Sequence, residues 1–104
     1  MGALSEINYY IVAHNSIDLS LSNIYGLNNQ TVYVLNNSYL YDLIADLEGI
    51  EIITFDNTSD LSKIARKENI IILDEYTYNY YFNQLSNDYS VRYKSVIEDR
   101  YYSF

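Results

Sequence analysis

A chain of 104 residues is long enough for one domain, and folding at this size removes roughly 65% of the unfolded surface from water, enough for a single core. Fourteen acidic against six basic residues leave a net charge of −8, a poor surface for phosphate backbones, so no nucleic-acid role is read. The lack of cysteine excludes disulfides, thiolate zinc sites and redox thiols, and no apolar run approaches bilayer-spanning length.

A hydrophobic fraction of 49% with 14 tyrosines argues against disorder. Residues 1–6 read as linker or added residues, since they carry neither a basic start nor an apolar stretch of signal-peptide length. Ile7–Ala13, rich in Ile, Val and Tyr, reads as a strand. Ser20–Gly26 reads as one helical turn closed by its glycine. Thr31–Leu35 is a second strand, and it stops at small polar residues. From Ser38 the apolar positions Leu40, Leu43, Ile44 and Leu47 follow the spacing of one helix face, with Gly49 as the terminator.

Ile50–Phe55 is a strand, and Asn57–Asp60 supplies cap residues for a helix with Leu61, Ile64 and Ala65 inward. Lys63, Arg66 and Lys67 face outward on that helix, and its basic last turn suits the negative end of the dipole. Ile70–Leu73 is apolar at every position, as expected of a central strand buried on both faces. Glu75–Leu85 reads as a helix with Tyr76, Tyr80 and Leu85 on one side. Tyr89–Ile97 alternates as a strand, and residues 100–104 begin another. Strands feeding helices in this order predict a three-layer α/β/α sandwich with a mostly parallel sheet of about five strands.

Glycine-rich nucleotide loops and the nucleophile elbow are absent, because the three glycines are scattered at positions 2, 26 and 49. A lone His14 makes neither a zinc cluster nor a triad, and it reads as a solvated residue after the first strand. A phosphoacceptor receiver needs an acidic pair after its first strand, where this chain has Ala13, His14 and Asn15. No catalytic residue, metal ligand or cofactor is therefore assigned, and the chain is read as non-enzymatic. The site is sought where open α/β sheets place it, at polar residues on the carboxyl ends of strands. Those residues are Asn36, Asn37, Ser38 and Tyr39 after the second strand and Asp74 after the fourth. Ser38 and Asp74 each have a plain alternative as the N-cap of the following helix, Tyr39 and Tyr76 as ordinary surface or core residues, and Asp56 reads as a turn or cap residue.

The order of features resembles the second lobe of a type 2 periplasmic solute-binding protein, of the family 3 kind that binds amino acids. The family phrase Ser-Leu-x-Asp-Leu-x-Gly-Lys-x-Val-x-Val corresponds to Ser20–Val34, with an expansion after Gly26. Its Gly-Ser-Thr turn corresponds to Asn37, Ser38 and Tyr39, its aromatic-Asp pair to Phe55 and Asp56, and its Asp-Ala-x-x-x-Asp strand to Asn69–Asp74. The closing phrase corresponds to Tyr93–Phe104, so the resemblance runs over roughly residues 8–104. It departs at Asn37 and Tyr39, where the family has glycine and threonine.

The resemblance implies a single ligand-binding lobe, with residues 7–13 and 100–104 as hinge-type strands and the first lobe supplied by the same parent chain. It implies a small polar ligand such as an amino acid, its carboxylate at the Ser38 turn and its ammonium at Asp74. The implied location is extracytoplasmic, periplasmic or cell-surface, with any signal or membrane segment outside this chain. A membrane transporter or a sensor output domain would read the closure. The alternatives are a protein-interaction module with a tyrosine-rich surface and, last, a small enzyme.

Overall fold

Residues Ile70–Leu73 have no polar side chain, and the structure surrounds all four with protein. The computed structural model describes residues 6–85 and 87–98. Its five strands are β1 (Glu6–His14), β2 (Thr31–Leu35), β3 (Glu51–Phe55), β4 (Ile70–Asp74) and β5 (Tyr89–Glu98). They form one sheet in the order β3-β2-β4-β1-β5, so the wholly apolar strand lies at its centre. β2 pairs in parallel with β3 and with β4, whereas β1 is antiparallel to both β4 and β5. Four strands therefore point one way and β1 opposes them. The expected hinge strand at 7–13 falls inside β1, and its counterpart at 100–104 lies outside the described residues.

Strand alternation divides the core into two layers. Ile11, Val32, Val34, Ile70 and Ile72 face Leu27, Leu40 and Ile44 on one side. Tyr10, Val12, Ile71 and Leu73 face Leu61 and Phe82 on the other. Helix α1 (Tyr39–Ile44) covers the first face, while α2 (Leu61–Ile64) and α3 (Glu75–Tyr80) cover the second. This is the expected three-layer sandwich.

Helix lengths differ from the sequence reading more than helix faces do. Leu40, Ile44 and Leu47 are all buried as expected, but α1 ends at Ile44 and turns carry the chain to Gly49. Gly49 still needs its glycine, with a left-handed φ of 69° and no room for a β-carbon beside the Asn29 side chain. Gly26 does not close its turn. It lies inside a 3-10 turn over Ile24–Leu27 that Asn23 caps, and an added β-carbon would meet the Leu21 side chain. Around α2, Leu61 is buried, Ile64 and Ala65 pack against the second core layer, and Lys63, Arg66 and Lys67 are exposed. The fourth predicted helix breaks at Tyr81, and a 3-10 turn over Phe82–Gln84 follows. Tyr76 and Tyr80 share a side, as their spacing requires, but that side faces solvent at 72% and 69% exposure. Their ring centroids lie 4.7 Å apart with the planes tilted by 42°, while Phe82 supplies the buried aromatic.

Two side chains tie the long β5 to the rest. Arg92 is the extra residue where the β1–β5 register shifts, and its guanidinium donates to the carbonyls of His14 and Leu19, both at 2.8 Å. The Tyr89 hydroxyl accepts from the Asn69 amide at 3.1 Å and donates to the Lys67 carbonyl. Burial pushes this phenol's pKa up, against the lowering effect of its Asn69 contacts. His14 ends β1 half-buried, with Nδ1 2.8 Å from the Ser16 hydroxyl and its ring edge-on to Tyr89.

Position in the sheet sets the cost of truncation. Ile72→Ala at the centre should cost about 2–5 kcal/mol, whereas Ile53→Ala on the edge, 37% exposed, should cost well under about 1 kcal/mol. Urea denaturation with an unchanged m-value checks both.

Candidate functional site

The chain leaves β2, covers one face through α1 and returns as β3 on β2's outer side. It then covers the opposite face through α2 and returns as β4 on β2's inner side. The winding direction thus reverses between β2 and β4. In open α/β sheets such a switch point opens a crevice at the strands' carboxyl ends. Ser38 follows β2, and Asp74 ends β4.

The turn after β2 is held by a short chain of hydrogen bonds. The Asn36 amide donates to the Phe55 carbonyl at 2.7 Å, and its side-chain amide donates to Asp56 Oδ1 at 3.1 Å. Asn36 Oδ1 in turn accepts from the Asn37 amide at 3.1 Å. Asn37 then takes a left-handed φ of 58°, where the family phrase has glycine. Asparagine is among the few residues other than glycine that occupy this region readily. Asp56, expected as a turn residue, is what joins the end of β3 to this turn.

Ser38 stands at the N-cap position of α1 with extended backbone, yet its hydroxyl makes no cap bond. It donates instead to the Leu35 carbonyl at 2.7 Å. Asp74 does cap its helix: Oδ1 accepts from the Thr77 amide at 2.6 Å and Oδ2 from the Thr77 hydroxyl at 3.1 Å. Each carboxylate oxygen keeps a further acceptor position, so capping and ligand binding are compatible.

Two recesses meet at Ser38. One is a crevice of about 10 Å³, room for roughly one water, which Ser38 shares with Asp74, Thr77 and Thr58 over a floor of Leu35, Phe55 and Ile72. The other is an open cleft of about 510 Å³ lined by Asn36, Asn37, Ser38, Tyr39, Tyr41 and Asp42. The structure thus places the four residues of the turn in one cleft, with Asp74 on the far side of Ser38. Tyr41 and Asp42 were not among the expected site residues. Their only sequence signal was their place in the helix's first turn, off its apolar face. Tyr76, read as an ordinary surface or core residue, lines neither recess and is exposed.

Tyr39 links the two recesses electrically. Its phenol is pushed up to about 12, first by burial and then by the Asp74 charge, so it stays a neutral donor at ordinary pH. Among the described residues no group of three or more His, Cys, Asp or Glu could hold a metal ion.

No protein-family model matches the chain, and no curated protein does. Solved structures do. Holo ArgBP from T. maritima superposes with a TM-score of 0.69 at 18% identity, over 92% of this chain and 46% of that one. The periplasmic VFT2 domain of Bordetella pertussis BvgS gives 0.65 at 17%, over 91% and 43%. ArtJ from Geobacillus stearothermophilus, an arginine-, lysine-, histidine-binding protein, gives 0.61 at 17%, over 93% and 47%. This is the fold of a periplasmic-binding-protein lobe, and the chain spans about half the length of the proteins it matches.

The Tyr39 shift has a sign that can be checked. A phenol whose folded value lies above the ordinary 10 favours the neutral form, so its contribution to stability is whole below pH 10 and disappears as pH rises from 10 to about 12. Ultraviolet titration should show a tyrosine midpoint near 12 that Tyr39→Phe removes. Asp74→Asn should lower that midpoint only part of the way, because burial is the larger cause.

Proposed function

We propose that this chain is the ligand-binding lobe of an extracytoplasmic solute receptor, non-catalytic, which closes with a first lobe of the same parent on a small polar molecule such as an amino acid. The observation that carries this is the coincidence of the β2–β4 switch point with the polar turn Asn36–Tyr39 and the Asp74 carboxylate, in a fold shared with amino-acid-binding proteins. Asp74, oriented by Thr77, accepts a charge-assisted hydrogen bond from the ligand's ammonium. The turn forms the floor beside it, and Tyr39 forms the wall between them. Closure of two lobes on the ligand is then the signal read by a membrane transporter or an output domain. Among the described residues no helix is long and apolar enough to cross a membrane. The reading as a tyrosine-rich interaction module draws on exposed tyrosines outside both recesses, Tyr25 at 67% and the Tyr76–Tyr80 pair.

A lobe alone forfeits the contacts of its partner while the ligand still loses its translational freedom. The isolated chain should therefore bind amino acids more weakly than about 1 mM or not at all, and any amide shifts should gather at Asn36–Tyr39 and Asp74. An NMR titration checks this, and micromolar saturation or shifts gathered elsewhere would overturn it. In the two-lobed parent, Asp74→Asn should weaken ligand binding by about 10–100-fold while leaving the lobe folded, because a hydrogen bond to a charged group is removed. Calorimetry of the variant measures it.

A further inference from the structure

Among the described strands β3 pairs only with β2, so it forms one border of the sheet. The Glu51 amide donates to the Gln30 carbonyl at 2.9 Å, and the Phe55 carbonyl accepts from the Asn36 amide at 2.7 Å. The odd-numbered residues of β3 thus turn their backbone toward β2, and alternation turns the N–H and C=O of Ile52 and Thr54 outward. Nothing in the strand blunts this border, since it holds no proline, lysine or register shift. Its one charge, Glu51, accepts from the Thr31 hydroxyl of β2 at 2.8 Å, and its middle residue, Ile53, is 37% exposed. At the opposite border β5 carries Arg92, Lys94 and the shift in register against β1.

The outward groups of β3 are complementary to themselves. About a two-fold axis at Ile53, an antiparallel copy sets Ile52 opposite Thr54 of the second copy, and Thr54 opposite its Ile52. Each of these pairs exchanges both of its backbone hydrogen bonds. Ile53 meets Ile53 of the second copy in the closer position between them, with Cα atoms about 4.5 Å apart. The same register puts Glu51 opposite Phe55 and Asp56 opposite Ile50, so no acid faces an acid. Moving the axis to Ile52 would set Asp56 against Glu48, where like charges repel. Moving it to Thr54 would leave Glu51 and Ile52 beyond the end of the facing strand.

We propose that β3 is a self-association edge, where two copies of this chain pair antiparallel through Ile52–Thr54 and join their sheets into one. The partner is a second copy because one set of groups supplies both halves of the contact, and such an isologous contact closes at a dimer. β2 and β4 separate this edge from β1, so the pairing leaves the expected hinge strand free and does not rest on the receptor reading. The contact is small and each copy carries −8, so a dissociation constant of about 0.1–1 mM is expected, tightening with salt.

Sedimentation and amide hydrogen exchange of the 104-residue chain in about 0.3 M salt test this. Sedimentation should show a monomer–dimer equilibrium. Between about 0.02 mM and about 2 mM chain, exchange at Ile52 and Thr54 should slow by about two- to fivefold, while Ile53, already bonded to β2, is unchanged. Ile53→Lys sets two ammonium groups on the axis and should weaken the dimer at least about tenfold, although it lowers the net charge only from −8 to −8 + 1 = −7. Val91→Lys makes the same charge change at a residue 40% exposed on β5 and should alter association by less than about twofold. A chain monomeric at about 2 mM, a dimer in which Ile52 and Thr54 exchange as in the dilute chain, protection of both amides at every dilution, or equal losses in the two variants would overturn the inference.

Discussion

Burial of β4 from Ile70 to Leu73 is the constraint on which the rest depends. A strand flanked by β2 and β1 and covered on both faces can carry only apolar side chains along its length, since an unpaired polar group there would cost roughly 1–3 kcal/mol. Polar chemistry is confined to its ends. At the carboxyl end the chain must turn into α3, and Asp74 serves that turn by accepting from Thr77. The same requirement places a carboxylate at the mouth of the sheet. In the proposed function, structural need and site chemistry coincide in one side chain.

The neighbouring strand meets the same constraint in a different way. β2 is buried at Val32 and Val34, and its exit is managed by backbone geometry rather than by a cap. Asp56 fixes Asn36, Asn36 fixes the Asn37 amide, and the left-handed Asn37 swings Ser38 toward β4. Both recesses therefore inherit their shape from hydrogen bonds at the ends of three parallel strands. Pre-ordered polar groups of this kind lower the ordering cost of taking up a ligand.

Much of this was legible in the sequence. The uninterrupted Ile70–Leu73 run, short and rich in β-branched residues, reads as a buried strand, and the β-branched run before Asn36 marks the other wall of the crevice. The buried faces of α1 and α2 followed from apolar spacing. What escaped depends on tertiary contacts. Nothing local requires α1 to stop at Ile44, because Gly49 can close a turn as readily as a helix. The Tyr76–Tyr80 spacing shows that the two share a side but not that the side is wet. Choosing between them and Phe82 needs the break at Tyr81 and the Tyr10–Tyr78 contact at 4.6 Å. Arg92 gave no signal, since a register shift between β1 and β5 is a property of two strands distant in sequence. At the candidate site the turn and Asp74 were legible, whereas Asp42 and Tyr41 joined the turn's cleft only through the fold.

The sheet has two ends, and the proposed ligand site lies at one of them. A second open cleft of about 330 Å³ lies at the other, lined by Ile17, Asn29–Thr31 and Glu68–Ile70. Isotope-filtered NOE spectra of the carbon-13-labelled chain with unlabelled arginine decide between them directly. Contacts from the ligand's methylene protons to the Tyr39 ring and the Thr77 methyl group are the predicted result. Contacts to the Ile17 and Ile70 methyl groups would place binding at the wrong end of β4 and contradict the account.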